Sequence, residues 1–434
     1  MKKVAFHTLG CKLNFAETST ISRSFIDKGY EKVGFGEKAD IYVINTCSVT
    51  NKADKKSQQA VNKARKNNPK AKIIVVGCYA QLQPGEVAEI PGVDLVLGSD
   101  EKFKVTEYID TLENKKNSEK IFACGMEQSA EYYPSYSVGD RTRSFLKIQD
   151  GCDYPCSYCT IPKARGKSRN PDIDSILKQA EKIGMSGVKE IILTGVNIGD
   201  FGKSTGQSFF ELIKELEKVN NIQRYRISSI EPNLLSDEII QFVASSKKFM
   251  PHFHIPLQSG NNEILAKMRR RYNKELFEEK INKINDALPH AFIGVDVIVG
   301  FPGESEALFN KTYDFLKSLN TAYYHVFSFS ARPGTPAAEM KGQVPGNVIH
   351  DRSKKVQKLA EEKQKAFYNK HIGTKRYVLF EKALKNKMIS GFTDNYIKVE
   401  TDYHPNLPGK IQKVQLGNIN PADNVDIEMI HEAI

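Results

Sequence analysis

Short apolar runs alternate with amphipathic stretches along most of this chain. Residues 4–8, 41–45, 73–76 and 93–97 are apolar blocks of strand length, rich in Val and Ile. Between the first two, Phe15, Thr18, Ile21, Phe25 and Ile26 recur near a 3.6-residue period, which predicts a helix from about Asn14. A polar helix is expected from about Lys52. Strands alternating with helices predict an open parallel sheet in the first 125 residues. Residues 114–139 are polar without clear period and read as a linker. From Thr142 a second series begins, with apolar runs at 145–148, 191–193, 225–228, 253–257, 293–299 and 325–329 and helical patterns such as 171–183 and 209–219 between them. Six such units predict a partial TIM-like barrel whose reactive face lies at the C-terminal strand ends. After Pro345 a long polar helix is expected over 348–369. From Gly373 the pattern changes to short strands at 377–381, 388–393, 396–399 and 414–416, with turns at Asp394-Asn395 and Pro408-Gly409. That is the pattern of a small β-barrel of oligonucleotide-binding type. The chain is thus α/β, in three expected blocks: 1–125, 140–370 and 373–434.

Composition narrows the partners. A chain of 434 residues has ample core for two or three domains. With no apolar leader and no apolar run of about 18 residues, a soluble cytoplasmic protein with no membrane partner is expected. The net charge of +11 and pI near 9.0 suggest a polyanionic partner. Composition does not separate RNA from DNA or a membrane surface. The seven cysteines are an odd number, which fits metal ligands better than a disulfide framework. Six fall into two sets of three, and Cys124 is left as a free structural thiol.

The tighter set is Cys152, Cys156 and Cys159, in Gly151-Cys152-Asp153-Tyr154-Pro155-Cys156-Ser157-Tyr158-Cys159. The C-x3-C-x2-C spacing lets one loop aim three thiolates at a point. A four-iron cluster is normally held by four cysteines, so three would leave one iron open to a small molecule. The same thiols could hold zinc with a water in the fourth place, or be half of a ferredoxin-like run. The looser set is Cys11, Cys47 and Cys78, spaced 36 and 31 residues apart. Each lies one to three residues past a strand, and in a parallel sheet all such ends share one edge. The reading is a second three-cysteine metal site; the alternative is three unrelated core thiols.

The expected barrel strands end in polar or glycine residues: Thr194-Gly195-Val196-Asn197, Ser228-Ser229-Ile230-Glu231, Gln258-Ser259-Gly260-Asn261, Gly300-Phe301-Pro302-Gly303-Glu304 and Ser330-Ala331-Arg332-Pro333-Gly334-Thr335-Pro336. One such end is an ordinary turn; five around one mouth suggest a ligand site. His252 and His254 alternate on a strand and read as core or supporting groups. Lys163, Arg165, Lys167 and Arg169 also alternate, which suits a solvated strand face or a rim that contacts phosphates. Residues 352–387 hold twelve basic and three acidic side chains. With Lys375 and Arg376 at the start of the small barrel, this is either a solvated helix face or an RNA grip.

The cysteine loop resembles the signature of the radical S-adenosylmethionine (SAM) superfamily, including an aromatic residue, Tyr158, before the last cysteine. Gly10-Cys11-Lys12-Leu13-Asn14 with Glu17-Thr18, Asn45-Thr46-Cys47-Ser48-Val49-Thr50 and Gly77-Cys78-Tyr79-Ala80-Gln81 resemble the N-terminal domain of the methylthiotransferases. The G-C-K-x-N-x-x-E-T form is similar to the MtaB branch, which acts on threonylcarbamoyladenosine in tRNA. The isopentenyladenosine branch more often shows G-C-Q-M-N, and the branch acting on a ribosomal-protein aspartate G-C-P-K-N. Asn197-Ile198-Gly199-Asp200 departs from the branch by lacking a histidine after the glycine. Gly391-Phe392-Thr393-Asp394-Asn395-Tyr396 resembles the TRAM motif of these enzymes, with Phe392 where histidine is usual.

The resemblance implies two 4Fe-4S clusters: a SAM cluster on Cys152, Cys156 and Cys159, and an auxiliary cluster on Cys11, Cys47 and Cys78 that carries the sulfur. SAM would serve as methyl donor and radical source, its carbon–sulfur bond cleaved by an electron from the first cluster. It implies that Gly195 and Asn197 meet the SAM amino group, that Gln258 and Ser259 reach the ribose, that Arg270 pairs with the carboxylate, and that Tyr158 packs near the adenine. Ser229 and Glu231 would join the cofactor site or merely cap a helix. The implied partners are a tRNA anticodon stem-loop and an electron donor such as flavodoxin or ferredoxin, the enzyme being a monomer. The rivals are the same chemistry on isopentenyladenosine or on a protein aspartate, and a zinc-bearing RNA-binding protein without redox chemistry.

Overall fold

A computed structural model describes residues 1–48, 50–113, 119–125, 131–139, 141–381 and 387–430. Val49 of the second cysteine motif, parts of the expected linker (114–118 and 126–130) and residues 382–386 of the basic run lie outside the described residues.

The first block is a parallel sheet of β1 (Lys3–Thr8), β2 (Glu31–Val33), β3 (Ile41–Thr46), β4 (Lys72–Gly77), β5 (Leu95–Leu97) and β6 (Ile121–Phe122), in spatial order β2-β1-β3-β4-β5-β6. Sequence reading missed β2, which is three residues long and mostly charged, and β6, which is only two residues long. Tyr42, Ile44 and Val75 pack on one face and Val43, Ile74 and Val76 on the other, so helices cover both. The chain leaves β1 toward one edge and returns to β3, which puts the topological switch point between those two strands. Cys11 and Cys47 follow the two strands that flank it.

The central block is an arc of six parallel strands: β7 (Ser144–Lys147), β8 (Glu190–Thr194), β9 (Arg224–Ile227), β10 (His252–Gln258), β11 (Phe292–Val299) and β12 (Tyr323–Ser328). The first three and the last three pair continuously, and single bridges such as Ser229 to His254 join the two halves. The helix Lys12–Asp27 of the first block packs against β7, where Ala16 joins a small core with Phe145 and Ile192.

The helix Gly346–Asn369 packs along β12 and leads to a closed barrel of β13 (Lys375–Phe380), β14 (Met388–Thr393), β15 (Lys398–Asp402), β16 (Ile411–Ile419) and β17 (Val425–Met429). The strand expected at 396–399 begins instead at Lys398, because Tyr396 takes a left-handed turn conformation (φ 67°). β17, which alternates acidic and apolar residues, was missed. This barrel docks on the N-terminal ends of β8 and β9. Arg226 donates to the carbonyls of Thr393 (2.7 Å) and Asp394 (2.8 Å), and Arg224 to that of Tyr377 (2.8 Å). Glu190 holds Arg226 in place at 2.8 Å. The turn after β14 therefore faces the large barrel. Among the described residues no helix is long and apolar enough to cross a membrane.

Candidate active site

Cys11, Cys47 and Cys78 stand at the C-terminal edge of the first sheet, and short contacts stitch their loops together. Gly10 has φ +100°, and a Cβ there would lie 2.7 Å from the Cys47 Cβ, so only glycine lets these two cysteine loops touch. Gly77 (φ +96°) turns β4 straight into the helix that starts at Cys78; a Cβ would meet Asn45 Oδ1 at 2.4 Å. Asn14 Nδ2 donates to the carbonyls of Leu9 (2.8 Å) and Thr46 (3.0 Å), bridging the first loop to the second. Thr46 Oγ1 donates to the Val76 carbonyl at 2.6 Å, bridging the second to the third. Thr18 receives Asn45 Nδ2 at 3.0 Å. Three cysteines distant in sequence are thus held side by side by the polar residues of their own motifs.

A buried charge network fixes this edge against the cysteine loop of the central block. Glu17 is fully buried; Arg165 donates to it at 2.9 and 3.1 Å, and Lys102 lies at 2.7 Å and Lys147 at 3.5 Å. Arg165 also reaches Asp150 (3.0 Å) and Asn14 (2.7 Å). Burial pushes the Glu17 carboxyl up, but Arg165, Lys102 and Lys147 outweigh it and hold the group at about 2. The helix Ile161–Arg165, which begins two residues after Cys159, packs on the helix that begins at Cys78. On the other side Arg332 is buried on Asp54 (2.8 Å) and Ser48 (2.7 Å).

These facts correct the reading of the alternating cations. Arg165 and Arg169 are not rim residues: both are buried, and Arg169 bonds the Arg165 and Glu131 carbonyls and lies 3.7 Å from Asp150. Lys163 and Lys167 stay exposed. The stretch is not a strand either, since Pro162 starts a helical turn there.

In the cysteine loop the thiols are free and partly enclosed. Burial pushes Cys152 up to about 12 and Cys159 to about 11, and raises Cys156 despite Arg270 beside it. By itself the site favours the neutral thiols; a cationic core would draw them to thiolates. Backbone amides already point at two sulfurs, Tyr154 N at Cys152 (3.4 Å) and Ile161 N at Cys159 (3.4 Å). Arg270 donates to Cys156 Sγ at 3.2 Å, pairs with Glu231 and lies over the Tyr272 ring. Glu231 stands at the N-terminal end of the short 3-10 helix Pro232–Leu234, but its side chain meets Arg270 and makes no capping hydrogen bond.

Gln149, which sequence reading did not single out, wires this loop to the next strand end. Its Oε1 accepts from Val196 N (3.0 Å) and Asn197 N (2.8 Å), and its Nε2 donates to the carbonyls of Asp150 and Gly151. Gly195 and Asn197 are therefore positioned by it. Ser259 does not reach an open site: it is fully buried, and its hydroxyl is shared between Thr312 and the Asn261 amide.

Two cavities adjoin here. One of about 200 Å³ is lined by Tyr158, Cys159, Gln258 and Asp296. The other, about 750 Å³, runs from Cys11 and Gly195 through the barrel to Phe392 and Tyr396, so all three blocks line it. Phe327 borders both, and His254, bonded to Asp296 at 2.6 Å, stands between them. Ser229 lines the larger cavity. Among the described residues His254, Asp296 and His325 are the one trio of ligand atoms all within 4.8 Å of one another. Neither cysteine triad is drawn in so far, whereas sulfurs on one tetrahedral zinc stand only about 3.8 Å apart.

On the small barrel Lys375 is exposed, while Arg376 is engaged with Asp394 at 3.2 Å. Tyr377 and Lys413 pair across β13 and β16, and Tyr377 is exposed.

Comparisons with known proteins agree with this geometry. Residues 3–98 match the family described as uncharacterized protein family UPF0004, and residues 146–316 the radical SAM superfamily. A threonylcarbamoyladenosine tRNA methylthiotransferase MtaB of Bacillus subtilis is 42% identical over 96% of this chain and 94% of its own. The enzyme of the same name from Aquifex aeolicus is 39% identical over 95% and 99%. The tRNA-2-methylthio-N(6)-dimethylallyladenosine synthase of Aquifex aeolicus is 33% identical over 97% of both chains. Among solved structures the radical SAM methyltransferase TsrM of Kitasatospora setae superposes with a TM-score of 0.58 at 14% identity, over 78% of this chain and 77% of that one, a likeness of fold.

Proposed function

The chain belongs to the radical SAM methylthiotransferase family, and on that premise we propose that it adds a methylthio group to carbon 2 of N-threonylcarbamoyladenosine beside the anticodon of tRNA. The choice of base is supported by the relatives named for it, at 42% and 39% identity, against 33% for the dimethylallyl synthase. The observation that carries the reading is that Cys159 and Cys11, one from each triad, open on two adjoining cavities.

Enzymes of this family use two 4Fe-4S clusters and SAM. Cys152, Cys156 and Cys159 would hold one cluster and Cys11, Cys47 and Cys78 the other. Bound there, these groups supply one-electron chemistry and sulfur, which an adenine carbon–hydrogen bond requires because it is too weakly acidic for any side-chain base.

The chain's own part is positional. Arg270, held by Glu231 against Cys156, is placed to take a carboxylate of the cofactor. Gln149 freezes the Gly195–Asn197 backbone so that its polar groups are ready for the amino group. Tyr158 and Gln258 wall the smaller cavity, where the nucleoside part would sit. Glu17–Arg165 and Asp54–Arg332 keep the two triads at a fixed separation. The base must leave its stack to enter the larger cavity, which suits a flexible loop better than a duplex. We read the small barrel as a TRAM-type RNA grip, with Lys375, Tyr377 and Lys413 outward on β13 and β16. A one-electron donor of flavodoxin or ferredoxin type and a cytoplasmic setting complete the proposal.

Mass spectrometry of tRNA nucleosides from a deletion strain tests it. Loss of 2-methylthio-threonylcarbamoyladenosine is expected; loss of the isopentenyl analogue alone would overturn the choice of base.

A further inference from the structure

Among the described residues, the larger cavity is lined by a cation with no anion opposite it. Its lining carries Lys12, Arg141, Arg143 and Lys398 and, among the described residues, no aspartate or glutamate. Elsewhere in this molecule enclosed cations are matched. Lys102 and Arg165 meet Glu17, and Arg226 meets Glu190. Of the cavity's own cations, Arg143 has Glu381 at 2.6 Å, Arg141 lies 4.4 Å over the Phe15 ring, and Lys398 stands opposite Phe392 at the small-barrel end, away from Cys11. Lys12 has no hydrogen bond and no ion pair among the described residues. The titratable and charged groups around it are Tyr396, Arg143, Asp296, Cys11, His252 and His325. Asp296, the one carboxylate among them, is taken up by His254 at 2.6 Å. Lys12 is half-buried on the cavity wall, and an ammonium partly withdrawn from water without a counter-charge is open to an incoming anion.

The place of Lys12 says which anion. It follows Cys11 directly, and Phe15, under Arg141, lies one turn further along the same helix. A base presented with carbon 2 toward Cys11 carries its exocyclic substituent within the same cavity. The threonylcarbamoyl chain ends in a carboxylate. An isopentenyl chain is apolar and would leave the ammonium stranded. We infer that Lys12, with Arg141 lining the same cavity, is the specificity-determining residue that receives the carboxylate of the base's threonylcarbamoyl group. This deepens the proposed function and rests on it.

The test compares two synthetic anticodon stem-loops, one with threonylcarbamoyladenosine and one with its carboxylate converted to a carboxamide. Both are measured on the same preparation of full-length, cluster-loaded enzyme, so that differences in loading cancel in the ratio. Wild-type enzyme is expected to favour the carboxylate by about tenfold or more in kcat/KM, chiefly through KM. Lys12→Met is expected to bring that ratio to within about twofold, and Lys12→Arg to restore most of it. Where turnover by Lys12→Met is too slow to follow, the ratio of the two Kd values reads the same quantity. Lys12→Met that keeps the wild-type ratio overturns the inference while leaving the proposed function standing. Wild-type enzyme that modifies neither of these stem-loops but does modify a third, control stem-loop carrying isopentenyladenosine overturns the proposed function, and this inference with it.

Discussion

Arg165 reaches from the helix behind the cysteine loop into the first sheet domain and forks onto Glu17, Nη1 to Oε1 at 2.9 Å and Nη2 to Oε2 at 3.1 Å. The two residues are 148 positions apart, and both are shut away from solvent. Because Glu17 sits one turn beyond Asn14, and Asn14 ties two of the loops that carry cysteines, the contact couples the geometry of one triad to that of the other.

Breaking that pair should be costly. Glu17→Gln leaves Lys102 and Arg165 leaning on Asp150 alone, and removing one partner of a buried pair typically costs about 3–5 kcal/mol. Urea unfolding of the variant against wild type measures it. A loss under about 1 kcal/mol would mean that the network contributes little.

The same pair sets a pH dependence. Glu17 is held at about 2, below its ordinary 4.5, so its stabilisation is complete above about pH 4.5 and drains away as pH falls toward 2. Asp150, also held below its ordinary range against its own burial by Lys147, Arg165 and Arg169, acts in the same direction. The urea midpoint should fall gently from pH 7 to 5, because burial holds His252 and His325 below their ordinary 6.5 and the unfolded chain takes up those protons first, and it should fall more steeply below about pH 4.5. A midpoint unchanged at pH 3 would contradict the assignment.

Gln149→Leu removes the acceptor of two amides and the donor to two carbonyls in a buried site, where each unmet group costs about 1–3 kcal/mol. Equilibrium binding of SAM should weaken by about tenfold or more. Unchanged SAM affinity would show that the Gly195–Asn197 segment keeps its shape without Gln149.

Arg270→Lys keeps the charge but loses the fork that meets Glu231 and Cys156. The KM for SAM is expected to rise about tenfold, with the visible absorbance of the clusters retained. A wild-type KM would remove Arg270 from the cofactor site.

On the small barrel, Tyr377→Ala should weaken tRNA binding by about 1–3 kcal/mol if a base stacks there. Lys375→Gln should lower the slope of log Kd against log salt by about one. Filter binding across a salt series checks both, and no change in either would move the RNA surface elsewhere.

How much of this was legible beforehand differs from residue to residue. The cysteines were, because a parallel sheet brings its strand ends to one edge whatever the length between them, and because Cys152, Cys156 and Cys159 share one loop. Glu17 was visible as a motif letter without a role, since nothing near it in sequence carries the charges it meets. Lys163, Arg165, Lys167 and Arg169 looked alike. Asp150 and Glu17 drew two of them inside and left two in water. Ser259 lay among turn residues but was taken up by Thr312, on a helix that follows later in the chain.

Most of the strands and helices, the three blocks and the two sets of thiols were written in local pattern, because period and turn chemistry act over a few residues; the short strands β2 and β6 and the partly charged β17 were not. Which charges are buried, which way the Gly391–Tyr396 turn faces and what lines the cavity beside Cys11 were decided only on folding. Each depends on a group brought from another block of the chain, and no short window of sequence contains both members of such a pair.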